Sequence, residues 1–99
     1  MNDILIKIQE LEQNFNIPDS FDEGCMLSKE EIIDEDIVTS EDLSRYSDEL
    51  LTYCASFVQD DVDMLLSVVI DEDISECMYI ISEGESTMDK LVKKGFLEL

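Results

Sequence analysis

The residues of this chain that could do chemistry are nearly all carboxylates. The pentapeptide IDEDI occurs twice, at Ile33–Ile37 and Ile70–Ile74, and such a run could hold a divalent cation. Asp71, Asp73 and Ser75 match the alternating oxygen ligands of an EF-hand loop. The match stops there. Position six is Glu76 where the sharp turn needs glycine, and position twelve is Ser82 where a bidentate glutamate belongs. Counted from Asp34, the same two positions hold Thr39 and Arg45. Paired acids such as Asp61 and Asp63 could do acid–base work, but among 26 acids some such pair arises whatever the function. The chain has no His and no glycine-rich phosphate loop, and Cys25 sits beside Asp22 and Glu23, which disfavour a nucleophilic thiolate. The residues therefore point to no catalytic group, no metal site and no cofactor.

What the carboxylates do offer is charge. Asp and Glu number 26 against six Lys and Arg, for a net charge of −20. Four of the six basic residues lie near the ends, at Lys7, Lys90, Lys93 and Lys94. Between Ile8 and Asp89 only Lys29 and Arg45 face 24 acids, all but Asp3 and Glu98 of the total. A solvated surface ordinarily mixes both signs. Duplex DNA carries one negative charge per about 1.7 Å of axis, and acids three or four apart on a helix lie about 5–6 Å apart at Cβ. Acidic ridges of that kind could stand in for phosphates. The expected contact surface is Glu30, Glu31, Asp34, Glu35, Asp36, Glu41, Asp42, Asp48 and Glu49, joined by Asp60, Asp61, Asp63, Asp71, Glu72, Asp73 and Glu76. In each IDEDI the isoleucines anchor in a core and the three acids form an exposed ridge. The 37-residue offset aligns little beyond the pentapeptide, which argues against an internal repeat.

The elements that must position these acids belong to one domain. Hydrophobic residues make up 44%, with eleven Ile and eleven Leu, enough for an aliphatic core. Ile4, Ile8, Leu11 and Phe15 stand at helical spacing after Asn2 or Asp3, and Pro18 stops that helix. Ser28 and Glu31 form a capping box for a short helix carrying Ile32 and Ile33. Leu43, Tyr46, Leu50, Tyr53, Cys54 and Phe57 form one stripe, which predicts an amphipathic helix of about 18 residues opened by Thr39 or Ser40. DDVDMLLSVVI and ISECMYIIS are apolar almost all round a wheel. With Asp60 and Asp61 as a start and Gly84 as a stop they read as two central helices. Ser86 and Asp89 then cap a last helix, whose end is complemented by Lys90, Lys93 and Lys94 and closed by Gly95. The expected fold is all-α, a compact bundle of about five helices. The alternative is α+β, with a hairpin over residues 62–82 turned by the second DED.

In size, charge and lack of catalytic groups the chain resembles the small DNA-mimic inhibitors of phages and other mobile elements, such as antirestriction proteins, anti-CRISPR proteins and uracil-DNA glycosylase inhibitors. The resemblance is one of composition, without a shared motif. It implies a stoichiometric inhibitor, not an enzyme, that blocks a basic nucleic-acid-binding protein or nuclease complex and does not itself bind nucleic acid. The alternative is an immunity protein or antitoxin that neutralises a basic toxin such as a nuclease. That reading calls for one patch with aromatic anchors, for which Tyr46, Tyr53 or Tyr79 are candidates, although their spacing also suits a core. A regulator with incidental acidity is the third reading. No segment has the roughly 18 apolar residues of a membrane span, no signal peptide is evident, and three widely spaced cysteines fit a reduced, cytoplasmic setting.

Overall fold

A computed structural model of the chain describes residues 2–33, 38–84 and 90–99. It is built on a five-stranded antiparallel sheet whose strand order follows chain order, which overturns the expected all-α bundle. Helix α1 (Asn2–Leu11) leads to β1 (Glu23–Ser28) and the short α2 (Lys29–Ile33). Then come β2 (Glu49–Gln59), β3 (Val62–Asp71), β4 (Glu76–Glu83) and β5 (Lys90–Glu98).

The central strands defeat periodicity because both faces of the sheet are covered. On one face Leu66, Val68 and Ile70 of β3 and Cys77, Tyr79 and Ile81 of β4 pack with Ile4, Leu5 and Ile8 of α1. On the other, Val69, Met78 and Ile80 pack with Ile32, Val38, Leu43 and Tyr46. A strand buried on both faces loses its period-two alternation and suits a helical wheel equally well. β3 and β4 pair from Met64↔Glu83 to Asp71↔Glu76, so this stretch is a hairpin and not two helices.

The long helix expected over residues 40–57 is also absent. Residues 40–45 run as turns across the second face, and Glu49–Gln59 is a strand. Leu43, Tyr46, Leu50 and Phe57 are all buried, but on two sides of a sheet. Leu51, Tyr53 and Phe57 turn toward α1, whereas Leu50 turns the other way. A period of two lay beneath the 3.6-residue stripe, and pairing with β1 and β3 on either side selected it.

The segment expected as the last helix is the edge strand β5, and its proposed cap at Ser86 and Asp89 lies outside the described residues. Gly95 ends no helix. It pairs with Tyr79, and a Cβ on it would lie 2.7 Å from the Tyr79 Cζ and hydroxyl oxygen. Gly24 does the same on the other edge, where a Cβ would lie 2.5 Å from the Tyr53 ring. Each edge strand thus leaves a gap that a tyrosine from its neighbour fills.

Two expected elements are present in altered form. The first helix ends at Leu11, short of Phe15, and the loop beyond it is tied to β2. The Asn16 amide donates to the Gln59 side chain (2.8 Å) and the Gln59 side chain donates to the Asn14 carbonyl (2.9 Å). At α2 the Ser28 hydroxyl accepts from the Glu31 amide (3.2 Å) and donates to the Glu31 carboxylate (3.0 Å). The carboxylate therefore returns to the hydroxyl of Ser28, not to its amide.

Asp60 and Asp61, expected to start a helix, are the two central residues of the β2–β3 turn. Both lie in the left-handed region, with φ of 51° and 66°. A two-residue turn of that kind favours Asn-Gly, and adjacent like charges add to the mismatch. D60N/D61G is expected to raise stability by about 1 kcal/mol, read as a higher urea midpoint. An unchanged midpoint would mean the turn carries no strain. G95A should lower stability by about 1–3 kcal/mol through overpacking against Tyr79. A neutral result in the same assay would show that the ring moves aside freely.

Candidate partner-binding surface

β3 separates its two turns by about 30 Å, at roughly 3.3 Å per residue. Most of the predicted acids divide between these two ends. Glu72 and Asp73 occupy the β3–β4 turn, and the register places Glu49 and Asp48 near them at the start of β2. Ser28 pairs with Glu49, which brings Glu30 and Glu31 of α2 to the same end. Glu76 pairs with Asp71 on one side and Glu98 on the other. Asp60, Asp61 and Asp63 lie at the opposite end of the sheet. Glu41 and Asp42 sit over β5, where the Lys94 Nζ donates to Asp42 at 2.6 Å. Asp34, Glu35 and Asp36, the acids of the first IDEDI, lie outside the described residues.

Exposure sorts them further. Glu30, Glu31, Glu41, Asp48, Glu49, Asp60, Asp61, Asp63, Glu72 and Asp73 are exposed. Asp42 and Glu76 are partly buried and ion-paired, with Lys94 and Arg45 respectively. Asp71 is 3% exposed, which removes it from the expected ridge. The second IDEDI is therefore a buried strut followed by two exposed acids.

Asp71 holds the covering segment of the second face to the sheet. Its carboxylate accepts from the Ser47 amide (2.8 Å), the Ser47 hydroxyl (3.1 Å) and the Asp73 amide (3.0 Å). Burial pushes its pKa up, but the Ser47 amide and hydroxyl and the amides of Asp73 and Ile74 outweigh burial and hold it below the ordinary value. Asp42 is likewise held low: burial opposes ionisation, and the Lys94 ammonium and the Thr39 amide and hydroxyl overcome it.

A second strut was hidden in the sequence. Glu12 is 4% exposed, and its carboxylate accepts from the Lys93 ammonium (2.6 Å) and the Tyr79 hydroxyl (3.2 Å). The polar residue after Leu11 gave no sign of this, because its partners are 67 and 81 positions away. Lys93 and Lys94 are thus struts, not the complement of a helix end.

The two inner thiols are held above their ordinary range. Burial pushes Cys77 up to about 11, and burial followed by the Glu23 carboxylate does the same to Cys54. Cys25 is exposed on β1. Among the described residues no group of three or more Cys, Asp or Glu is placed to hold a metal ion, and no helix is long and apolar enough to cross a membrane. At the more acidic end a groove of about 240 Å³ has Met26, Leu51 and Ile70 in its wall and Glu49, Glu72 and Asp73 around it. Such a surface can receive cationic side chains with apolar stems.

The Asp71 strut is testable by pH. A depressed pKa contributes stability fully above the unfolded carboxylate value of about 3.9 and loses it as pH falls through the folded value. D71N should lower stability near neutral pH by about 2 kcal/mol, and the gap to the parent chain in urea titrations should narrow below about pH 4. A gap that stays constant down to about pH 2 would exclude a role for the ionised form. Comparison of the chain with protein-family models, with curated proteins and with solved structures finds no match, so any functional reading has to come from this surface.

Proposed function

We propose that the chain is a non-catalytic inhibitor that occupies the nucleic-acid site of a basic protein, offering carboxylates where phosphates would lie. The observation that carries this reading is the fate of the acids. Ten of the predicted carboxylates are exposed, and none of these ten belongs to the three ion pairs found among the described residues. Most of them gather at the two ends of β3, about 30 Å apart at roughly 3.3 Å per residue, close to the roughly 34 Å of one duplex turn. Association would be steered by long-range attraction and weakened by salt.

The immunity-protein alternative loses the anchors named for it. Tyr46 and Tyr79 are buried, and Tyr53 is half-buried with its ring 5.2 Å from that of Phe21. Three free thiols, one of them exposed, fit a reducing cytoplasmic setting for the partner encounter.

The test is retention of a basic partner from host lysate on the immobilised chain at about 0.1 M and about 0.5 M salt, with and without duplex DNA. A nucleic-acid-binding protein should be retained at low salt, released at high salt and displaced by duplex. E72K/D73K should weaken retention by about tenfold or more, whereas E10K on α1 should leave it within about twofold. Equal losses for the two variants, or indifference to duplex DNA, would overturn the reading.

A further inference from the structure

On the second face a cleft of about 520 Å³ opens between the 41–46 segment and the end of β5. Its wall includes Glu41, Arg45, Tyr46, Glu76, Phe96 and Glu98. Register explains the meeting: Glu76 pairs with Glu98 and Met78 with Phe96, which puts Glu76, Phe96 and Glu98 on the same side. Phe96, an aromatic residue of the cleft wall, is 53% exposed. No part of the described chain covers it fully.

The cleft already holds one guanidinium. Arg45 pairs with Glu76 through a single nitrogen, and its side chain remains 70% exposed. With the Arg45 side chain so open to solvent the pair is screened on that side, and an external group can replace it. Beneath lies Tyr46, 5% exposed, with a hydroxyl that has no hydrogen-bond partner among the described residues. Burial, then the charges of Cys77, Glu76 and Asp71, push its ionisation upward, so the phenol stays neutral and adds no charge to repel or attract. Asp42, also in the wall, is occupied by Lys94. Glu41 and Glu98 are exposed acids and take part in none of the three ion pairs found among the described residues.

We propose that this cleft is the anchor site for an arginine side chain of the basic partner, with the guanidinium forked onto Glu98 and Glu41 and its planar face on the Phe96 ring. The proposal rests on the inhibitor reading above for the source of the arginine. Guanidinium is favoured over ammonium for two reasons: its fork matches carboxylates, and its flat, weakly hydrated face stacks on an aromatic ring. An arginine that would otherwise contact a phosphate finds here a carboxylate pair and a ring. Glu76 and Glu98 also join the cleft to the more acidic end of the sheet, so the anchor and the exposed acids can serve one partner.

The experiment is a titration of the full chain with L-argininamide, and separately L-lysinamide, at low salt, followed by amide shifts in ¹H–¹⁵N NMR spectra. Saturable shifts should centre on Ser44, Arg45, Phe96 and Leu97, with lysinamide weaker. F96A should bind about fivefold more weakly, the size of one exposed cation–π contact, and E98Q should also bind more weakly. R45A should bind more tightly, because it frees Glu76, an outcome no purely structural role predicts. E10Q, an exposed acid on α1 outside the cleft wall, should change nothing there. The spectra themselves report whether each variant is folded, and E98Q keeps the test open if F96A is not. Shifts spread over all acids without saturation, equal response to lysinamide, or indifference to both F96A and E98Q would overturn the proposal. The two readings fail separately. A partner retained unchanged by F96A sinks the anchor and leaves the inhibitor reading, whereas argininamide in the cleft with no basic partner retained does the reverse.

Discussion

The structure depends on one constraint: the β3–β4 hairpin is apolar on both sides, so both faces of the sheet need cover. Leu66, Val68, Val69, Met78, Ile80 and Ile81 are all at most 1% exposed. At about 25 cal/mol per Å² of apolar area, their burial is the main term set against chain entropy and charge repulsion. The rest of the chain is arranged around that need. α1 and the loop after it cover one face, and α2 with the 38–48 segment covers the other. With the covers used in this way, the edge strands β1 and β5 stay largely exposed, and each accepts a tyrosine ring over a glycine to close its side of the core.

The scarce cations hold those covers down. Lys93 reaches Glu12 after α1, and Lys7 donates to the Glu98 carbonyl at the end of β5. Lys94 and Arg45 join the 41–46 segment to β5 and β4 through Asp42 and Glu76. Lys29 donates to the Tyr46 carbonyl, linking α2 to the same segment. Five of the six basic residues thus bridge distant parts of the chain. Among the described acids, Glu12, Asp22, Asp42, Asp71 and a few others accept hydrogen bonds within the fold, and the rest have no comparable internal task. Most of the excess charge is therefore left on the surface, where it repels its own kind and attracts an opposite one.

Such a surface has its own geometry. The sheet sends acids to its two ends, because the turns and strand starts gather there while the strand middles are apolar. Among the described residues, acids meet an exposed aromatic ring only near β5, and that meeting makes a cleft instead of a plain charged face. Charge alone brings a basic partner near. A ring beside two free carboxylates is what could select one side chain of it.

Composition alone established that the chain has enough apolar residues for a core, that its cations are too few to neutralise its acids, and that it contains no His. Local signals also held where the structure is local: α1, and the Ser28–Glu31 bond that starts α2. What failed was the choice between periods. The stripe from Leu43 to Phe57 and the two apolar runs that follow fit a helix on paper, and only pairing between strands makes Leu50 and Leu51 face opposite ways. Covering both faces erased the alternation by which a strand is recognised. Which acids face solvent was decided at the same level. Nothing within the run DED distinguishes Asp71 from Asp73. Ser47, 24 positions from Asp71, gives its amide to Asp71 and shares its hydroxyl with both, and Asp71 is buried while Asp73 is exposed. Long-range contacts choose among patterns that the local sequence leaves equal, because the free energy of covering a sheet exceeds any local preference for helix.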